Sequence, residues 1–194
     1  MKRRQALAAL AGICNWPLSR RSAPDGHTEL APKRLEILKE IVTNVSSVAV
    51  MFNPRTASSA PQWTLVQRAA KRLSLTVVPA EIGGAPEVDE SRSHMVDRHE
   101  KRIAGLAMKA RLASIGTVRE FAEHGLLIAY GTNFTELWRR CAAYVDKIYK
   151  GAKPADLPIE HPTKFDLVIN LKTAKALGVT IGQAILARAD HVIQ

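Results

Sequence analysis

The chain predicts an α/β fold, a parallel Rossmann-like sheet with helices on both faces. Three observations carry that prediction. Five short apolar runs are continuous rather than alternating, as strands covered on both sides must be. Each is followed by an amphipathic stretch whose apolar residues recur at helical spacing. The junctions between the two are rich in Asn, Gly, Pro, Ser and Thr, which favour turns and helix starts. Strand and helix in strict alternation are the mark of crossover units in a parallel sheet.

The elements follow in order. From Pro32, which suits a first helical turn, Leu35, Leu38, Ile41 and Val42 share one face, with Lys33, Arg34, Glu36 and Lys39 spread over the others. A strand at Val48 to Phe52 stops at Asn53-Pro54 and passes through small hydroxylated residues into a helix over about 57–73. Strands at Leu75 to Val78 and Leu112 to Ile115 bracket a helix at about 94–110, and Gly83-Gly84 with Pro86 reads as a turn. A short helix at about 117–124 precedes a strand at Leu126 to Tyr130. The clearest helix covers 133–150. Phe134, Leu137, Trp138, Cys141, Val145, Ile148 and Tyr149 form one stripe, expected to be core. Asn133 is placed to cap it, Glu136 follows three residues on, and Gly151 suits a left-handed stop. Lys150 to Pro162 carries prolines at 154, 158 and 162 and reads as a stiff, extended crossover. A strand at 164–170, a helix capped by Asn170 and stopped at Gly178, and a final helix at about 183–193 close the chain.

Composition sets the bounds. At 194 residues, one domain or two small ones can hold a real core, and 46% hydrophobic against 24% charged residues excludes a mostly disordered chain. The net charge of +10 overstates the basic character of the body. Lys2, Arg3, Arg4, Arg20 and Arg21 stand in an acid-free leader, leaving 23 bases against 18 acids elsewhere, a net of +5. That balance suits anionic partners without specifying one. The basic residues are scattered among acids with no recognised module, so nucleic acid is not an expected partner.

The leader has the parts of an export signal. A cationic Met1-Lys2-Arg3-Arg4 precedes a short apolar stretch from Ala6 to Ile13, with Trp16-Pro17 beyond it and Ser22-Ala23 as a place for cleavage. Residues 1–23 are read as a signal peptide, 24–32 as a linker and 33–194 as the α/β domain, which places the protein in the periplasm. A frayed cytoplasmic N-terminus is the alternative. Of the two cysteines, Cys14 lies in the leader, so removal of the leader leaves Cys141 alone and no intrachain disulfide.

Chemistry-bearing motifs are sparse. His94, Asp97 and His99 are the closest metal-like group. Their two histidines are five apart, which turns them about 140° from each other on a helix, and no metal or other cofactor is expected. Without a G-x-S-x-G elbow, P-loop or G-x-G-x-x-G, neither hydrolase nor nucleotide chemistry has a motif, and no enzyme is expected. What remains is a pair of strand ends. Ligands of open parallel sheets sit beyond the carboxyl ends of strands. There Asn53, Thr56, Ser58 and Ser59 follow one strand, and Gly131, Thr132 and Asn133 follow Tyr130 at the end of another. Hydroxyls and amides beside free backbone N–H groups suit a carboxylate or other small anion. Simple helix capping is the competing reading of the same residues.

The stretches KRLEILKEIVTNVSSVAVMFNP (33–54) and LLIAYGTNFTELWRRCAAYVDKIYKGAKPADLPIEHPTKFDLVINLKTAKALGVTIGQAILARADHVIQ (126–194) resemble the C-terminal half of the substrate-binding proteins of ABC-type uptake transporters. Within that family the likeness is to type I periplasmic binding proteins such as tryptophan and tyrosine binders. The resemblance implies one lobe of a two-lobed protein that closes on a small, amino-acid-like solute and delivers it to a membrane permease. It implies Asn53, Thr56, Ser58, Ser59, Tyr130 and Asn133 as ligand-binding residues, with Asn53 and Tyr130 inside the family motifs NP and YG. Two departures accompany it. Only Ser22 to Pro32 stands where the family has an N-terminal lobe, and a helix and a buried strand are skipped between Glu81 and His94. A shortened lobe should show an uncovered apolar patch along 164–170 and the crossover, through which a second copy could pair. The alternative function is a remnant or small interaction domain that binds no solute.

Overall fold

The computed structural model describes residues 30–52, 54, 59–81, 99–158 and 160–194. The leader, its cleavage site, Asn53, Thr56, Ser58, the Gly83-Gly84 turn, His94, Asp97 and the skipped strand lie outside the described residues.

The first helix, α1 (Leu30–Ile41), buries Leu30, Ala31, Leu35, Ile37, Leu38 and Ile41, and with them Arg34. The expected exposure of Arg34 is therefore corrected. It lies three residues after Ala31, four before Leu38 and seven before Ile41, on the inward stripe. After a turn, Val45 leads into β1 (Ser47–Phe52), whose Val48, Ala49 and Val50 are buried. Next comes α2 (Ser59–Arg72), with Pro61 in its first turn and Val66, Ala69 and Ala70 inward. Among the described strands, β2 (Thr76–Glu81) pairs only with β1, in parallel, and none of its residues is buried. Pro79 is tolerated there because β2 is an edge strand among the described residues and can do without one N–H donor.

The second half is built on a four-stranded sheet in the order β3-β4-β5-β6. Helix α3 (Glu100–Lys109) is followed by a turn at Arg111, with φ 52°, and by the two-residue β3 (Ile115–Gly116), which keeps only Ile115 of the strand expected at Leu112 to Ile115. Helix α4 (Arg119–Glu123), β4 (Ile128–Thr132) and α5 (Phe134–Tyr149) follow, then β5 (Phe165–Asn170), α6 (Leu171–Leu177), α7 (Gln183–Leu186) and β6 (His191–Ile193). Strands β3 and β4 are parallel, as are β5 and β6, while β4 and β5 run antiparallel, with Tyr130 opposite Leu167. The α/β class stands, with this one reversal following the long α5 excursion. The last helix is four residues long, and the tail beyond it pairs with β5 as a strand. Asp190 fixes that pairing, its carboxylate accepting from Leu167 N at 2.8 Å while its own N–H donates to Leu167 O at 2.9 Å.

One core joins the two sheets. Leu35 and Leu38 of α1, Val48 and Val50 of β1, Ile115, Ile128, and Leu167 and Ile169 of β5 belong to a single apolar cluster. Helix α1 packs on α2 and reaches β4, so it bridges the sheets.

The 133–150 helix forms as expected, but its apolar stripe does not face the core. No residue of α5 is buried; Trp138 is 60%, Val145 65% and Tyr149 93% exposed. Periodicity establishes that a helix is amphipathic, and only the neighbours establish what its apolar side meets. The uncovered patch therefore lies on α5. Strand β5 is buried from Leu167 to Asn170. The crossover contains a 3-10 turn at Pro154–Asp156 and is held to α5 by Tyr144, whose hydroxyl donates to Pro158 O at 2.6 Å.

Candidate functional site

Strands β3 and β4 run parallel with Gly116 in register with Ala129, so β4 continues three residues, to Thr132, past the end of β3. Two features make this rim a close-packed one. At Gly116 a Cβ would collide with the ring of Phe121, which is fully buried on α4. At Gly131 a Cβ would fall inside the van der Waals envelope of the Thr117 carbonyl and within 3.5 Å of Arg34 Nη2. Only glycine lets three segments, from β3, β4 and α1, meet there.

Arg34 reaches this point from α1. Its Nε donates to Tyr130 O at 2.7 Å, and the residue is 7% exposed. Among the described residues no carboxylate pairs with it, and the Tyr130 carbonyl is its one hydrogen-bond acceptor. Desolvation pulls its pKa down to about 10, with Tyr130 acting in the opposite sense. A guanidinium taken from water without a counter-charge is unfavourable, and its remaining N–H donors favour an anion.

Two hydroxyls share the rim. Thr117, just after β3, and Thr132, which ends β4, are 6% and 8% exposed, and among the described residues neither Oγ1 has a hydrogen-bond partner. Leaving a buried hydroxyl without a partner costs about 1–3 kcal/mol. Most buried polar groups in folded proteins are satisfied, so two orphans at one strand edge call for an explanation.

The residues singled out in the sequence fall differently. Tyr130 is half-buried, its ring tilted against Phe165 at 6.3 Å between centroids. Asn133 is committed within the chain. Its Oδ1 accepts from Glu136 N at 2.8 Å, capping α5, and its Nδ2 donates to both oxygens of Asp166 at 2.9 Å. Ser59 begins α2. Asn53, Thr56 and Ser58 lie outside the described residues; Phe52 at the end of β1 and Trp63 of α2 stack their rings at 4.9 Å between centroids. Met51, next to last in β1, packs against the cluster that holds Phe121. The end of β1 and the packing behind the β3 end are thus neighbours.

Arg34 and Thr117 were missed as site residues. Arg34 could have been found from its place on the apolar stripe of α1, where a charged residue must be accounted for. Thr117 carries no signal in the sequence, since its burial depends on Gly131 allowing β4 to approach. Among the described residues no group of three or more His, Cys, Asp or Glu is placed to hold a metal ion. Likewise no described helix is long and apolar enough to cross a membrane.

The model of one protein family, described as ABC transporter substrate binding protein, matches residues 26–193. Among solved structures, a conserved domain protein from Vibrio cholerae is similar at a TM-score of 0.72 and 26% identity, over 84% of this chain and 60% of that one. An ABC domain from Streptococcus pneumoniae, solved in complex with L-Trp, gives 0.71 and 21% identity over 84% and 62% of the two chains. The ligand-free, open structure of a substrate binding protein with adhesive properties from Clostridium difficile gives 0.57 and 21% identity over 84% and 59%. The last two are likenesses of fold. The chain spans 59–62% of the length of these three. No curated protein matches it.

Proposed function

Because the chain belongs to the family of ABC transporter substrate binding proteins, we propose that it binds a small polar, amino-acid-like solute at the carboxyl ends of β1, β3 and β4 and delivers it to a membrane permease from the periplasm. The observation that carries this reading is the rim itself, where a buried cation and two orphaned hydroxyls collect at the edge that sheets of this kind offer to ligands. Asn53, Thr56, Ser58 and Ser59 supply the β1 side of the site, and Tyr130 the β4 side. Asn133 stands with Tyr130 on the β4 side, at the start of α5, which it caps while bonding Asp166.

The L-Trp complex of the Streptococcus pneumoniae relative supports an aromatic or branched amino acid as the first ligand to try. A thermal-shift panel of the proteinogenic L-amino acids tests this, since a ligand that binds only the folded state raises Tm by mass action. Stabilisation by a subset is the expected result. A flat panel at millimolar concentration overturns it and favours the second reading, a lobe that keeps the fold without binding. That alternative is motivated by the uncovered face of α5.

A further inference from the structure

Helix α5 is anchored at two points, yet among the described residues its apolar stripe stays uncovered over most of its length. Asn133 caps its first turn and bonds to Asp166 of β5, and Tyr144 ties it to the crossover at Pro158. From residue 141 to residue 150 every position except Tyr144 is exposed. A helix of 16 residues is marginal in water by itself and draws most of its stability from packing an apolar face. Single exposed apolar residues need no account, but a continuous stripe does.

The stripe has the spacing of a helix-to-helix seam. Phe134, Trp138, Cys141, Val145 and Ile148 recur at alternating steps of four and three. Phe134 is half-buried, and the other four are exposed. Charge then says what suits the seam. Arg139 and Asp146 are seven residues apart and so stand on one flank of the stripe, beside Trp138 and Val145. Their side chains are 71% and 59% exposed, and their ion pairs are with Glu136 and Lys150, three and four residues away. Exposed pairs of that kind contribute little and exchange readily. A second α5 laid antiparallel on the first, about a two-fold axis between residues 142 and 143, brings each Arg139 opposite the Asp146 of the other copy. The same axis is the middle of the stripe from Trp138 to Ile148, so charge and apolar matching select one arrangement. Parallel copies would set Arg139 against Arg139. A lipid surface offers no counter-charge to Asp146 beside the apolar stripe.

We infer that α5 is a self-association surface whose occupant is the α5 of a second copy of this chain, packed antiparallel, with Trp138 of each copy against Ile148 of the other. The interface is isologous. Two helices about 24 Å long bury less than a standard-size interface, so the dimer is weak and forms at micromolar concentration and above. It does not depend on whether a solute binds.

The test uses the full chain with Cys14→Ser, which leaves Cys141 as the one thiol. Sedimentation equilibrium from about 1 μM to about 1 mM, the range for an interface of this size, should show the mass rising from 21.3 kDa toward twice that value. In the dimer the two Cys141 are offset by about 5 Å along helix axes roughly 8–10 Å apart. A short bifunctional maleimide should therefore join them. Trp138→Glu should abolish the dimer and the cross-link. Arg139→Asp and Asp146→Arg should each weaken self-association about tenfold or more, since like charges then meet across the axis. Both sites are exposed, so neither variant threatens folding. An equimolar mixture of these two variants should dimerise again, because every flanking charge then meets its opposite, and the double variant should recover as well. A chain that stays monomeric to the highest concentration overturns the proposal, as does a dimer indifferent to Trp138→Glu or not rescued by the mixture. Monomer that sediments instead with phosphatidylglycerol vesicles overturns it in favour of a lipid surface.

Discussion

At the scale of single residues, the rim depends on what two glycines lack, and the opposite edge of the sheet on what one asparagine joins. A methyl at Gly131 would displace the Thr117 carbonyl and press on Arg34. We expect Gly131→Ala to cost about 1–3 kcal/mol or more in urea unfolding, as overpacking does when backbone must yield. It should also weaken ligand binding, because strands β3 and β4 would separate where the hydroxyls lie. Asn170 is buried and does two tasks. Its Oδ1 caps α6 by accepting from Thr173 N at 2.9 Å, and its Nδ2 donates to Ala122 O at 2.8 Å, fixing α4 to β5. Asn170→Ala should cost about 2 kcal/mol, measured the same way, since a cap is lost and a buried carbonyl loses its donor. The capping role of Asn170 could be read in the sequence from its position before Leu171. Its second bond could not, because Ala122 is 48 residues away.

At the scale of elements, α1 and α5 are both amphipathic and meet opposite fates. Helix α1 turns its stripe into the core that both sheets share, with Leu35 and Leu38 fully buried. Leu38→Ala should therefore destabilise by about 2–5 kcal/mol. Helix α5 leaves Trp138, Val145, Ile148 and Tyr149 uncovered. In the dilute monomer, Trp138→Ala or Tyr149→Ala should change the unfolding free energy of the described lobe by no more than about 0.5 kcal/mol, as surface substitutions do. A loss that grows with protein concentration would mean that the face is covered in solution. The sequence predicts both helices equally well, because a pattern of apolar residues names a face and not the surface it meets. The same limit applies to the tail. His191 to Ile193 continues an apparent helical pattern, yet pairing with β5 and the hold of Asp190 on Leu167 draw it into the sheet.

At the scale of the whole molecule, two sheets behave as one structure. The β1–β2 pair has no ladder to the sheet β3-β4-β5-β6 among the described strands, so its attachment is through side chains in the common core and through α1. Cooperative unfolding is the expected consequence, because neither sheet keeps its core without the other. Native-state hydrogen exchange checks this. The amides of Val48 to Val50 and of Leu167 to Ile169 should exchange with the same opening free energy and respond together to denaturant. A lower value for the β1–β2 pair would show that the two sheets open separately.

The amino-acid sequence by itself determined the alternation of strand and helix, the helix starts at Asn133 and Asn170, the stop at Gly178, and the likeness to a solute-binding family. Those features are local, set by periodicity and by the conformational habits of Asn and Gly. Only the tertiary structure decided that Arg34 is buried beside Tyr130, that Thr117 and Thr132 end as orphaned hydroxyls on one rim, and that the stripe of α5 stays open. Each of these depends on which surfaces come together across long stretches of chain. Burial, and with it the chemistry of a charged or hydroxylated side chain, is a property of neighbours that the residue's own sequence position does not carry.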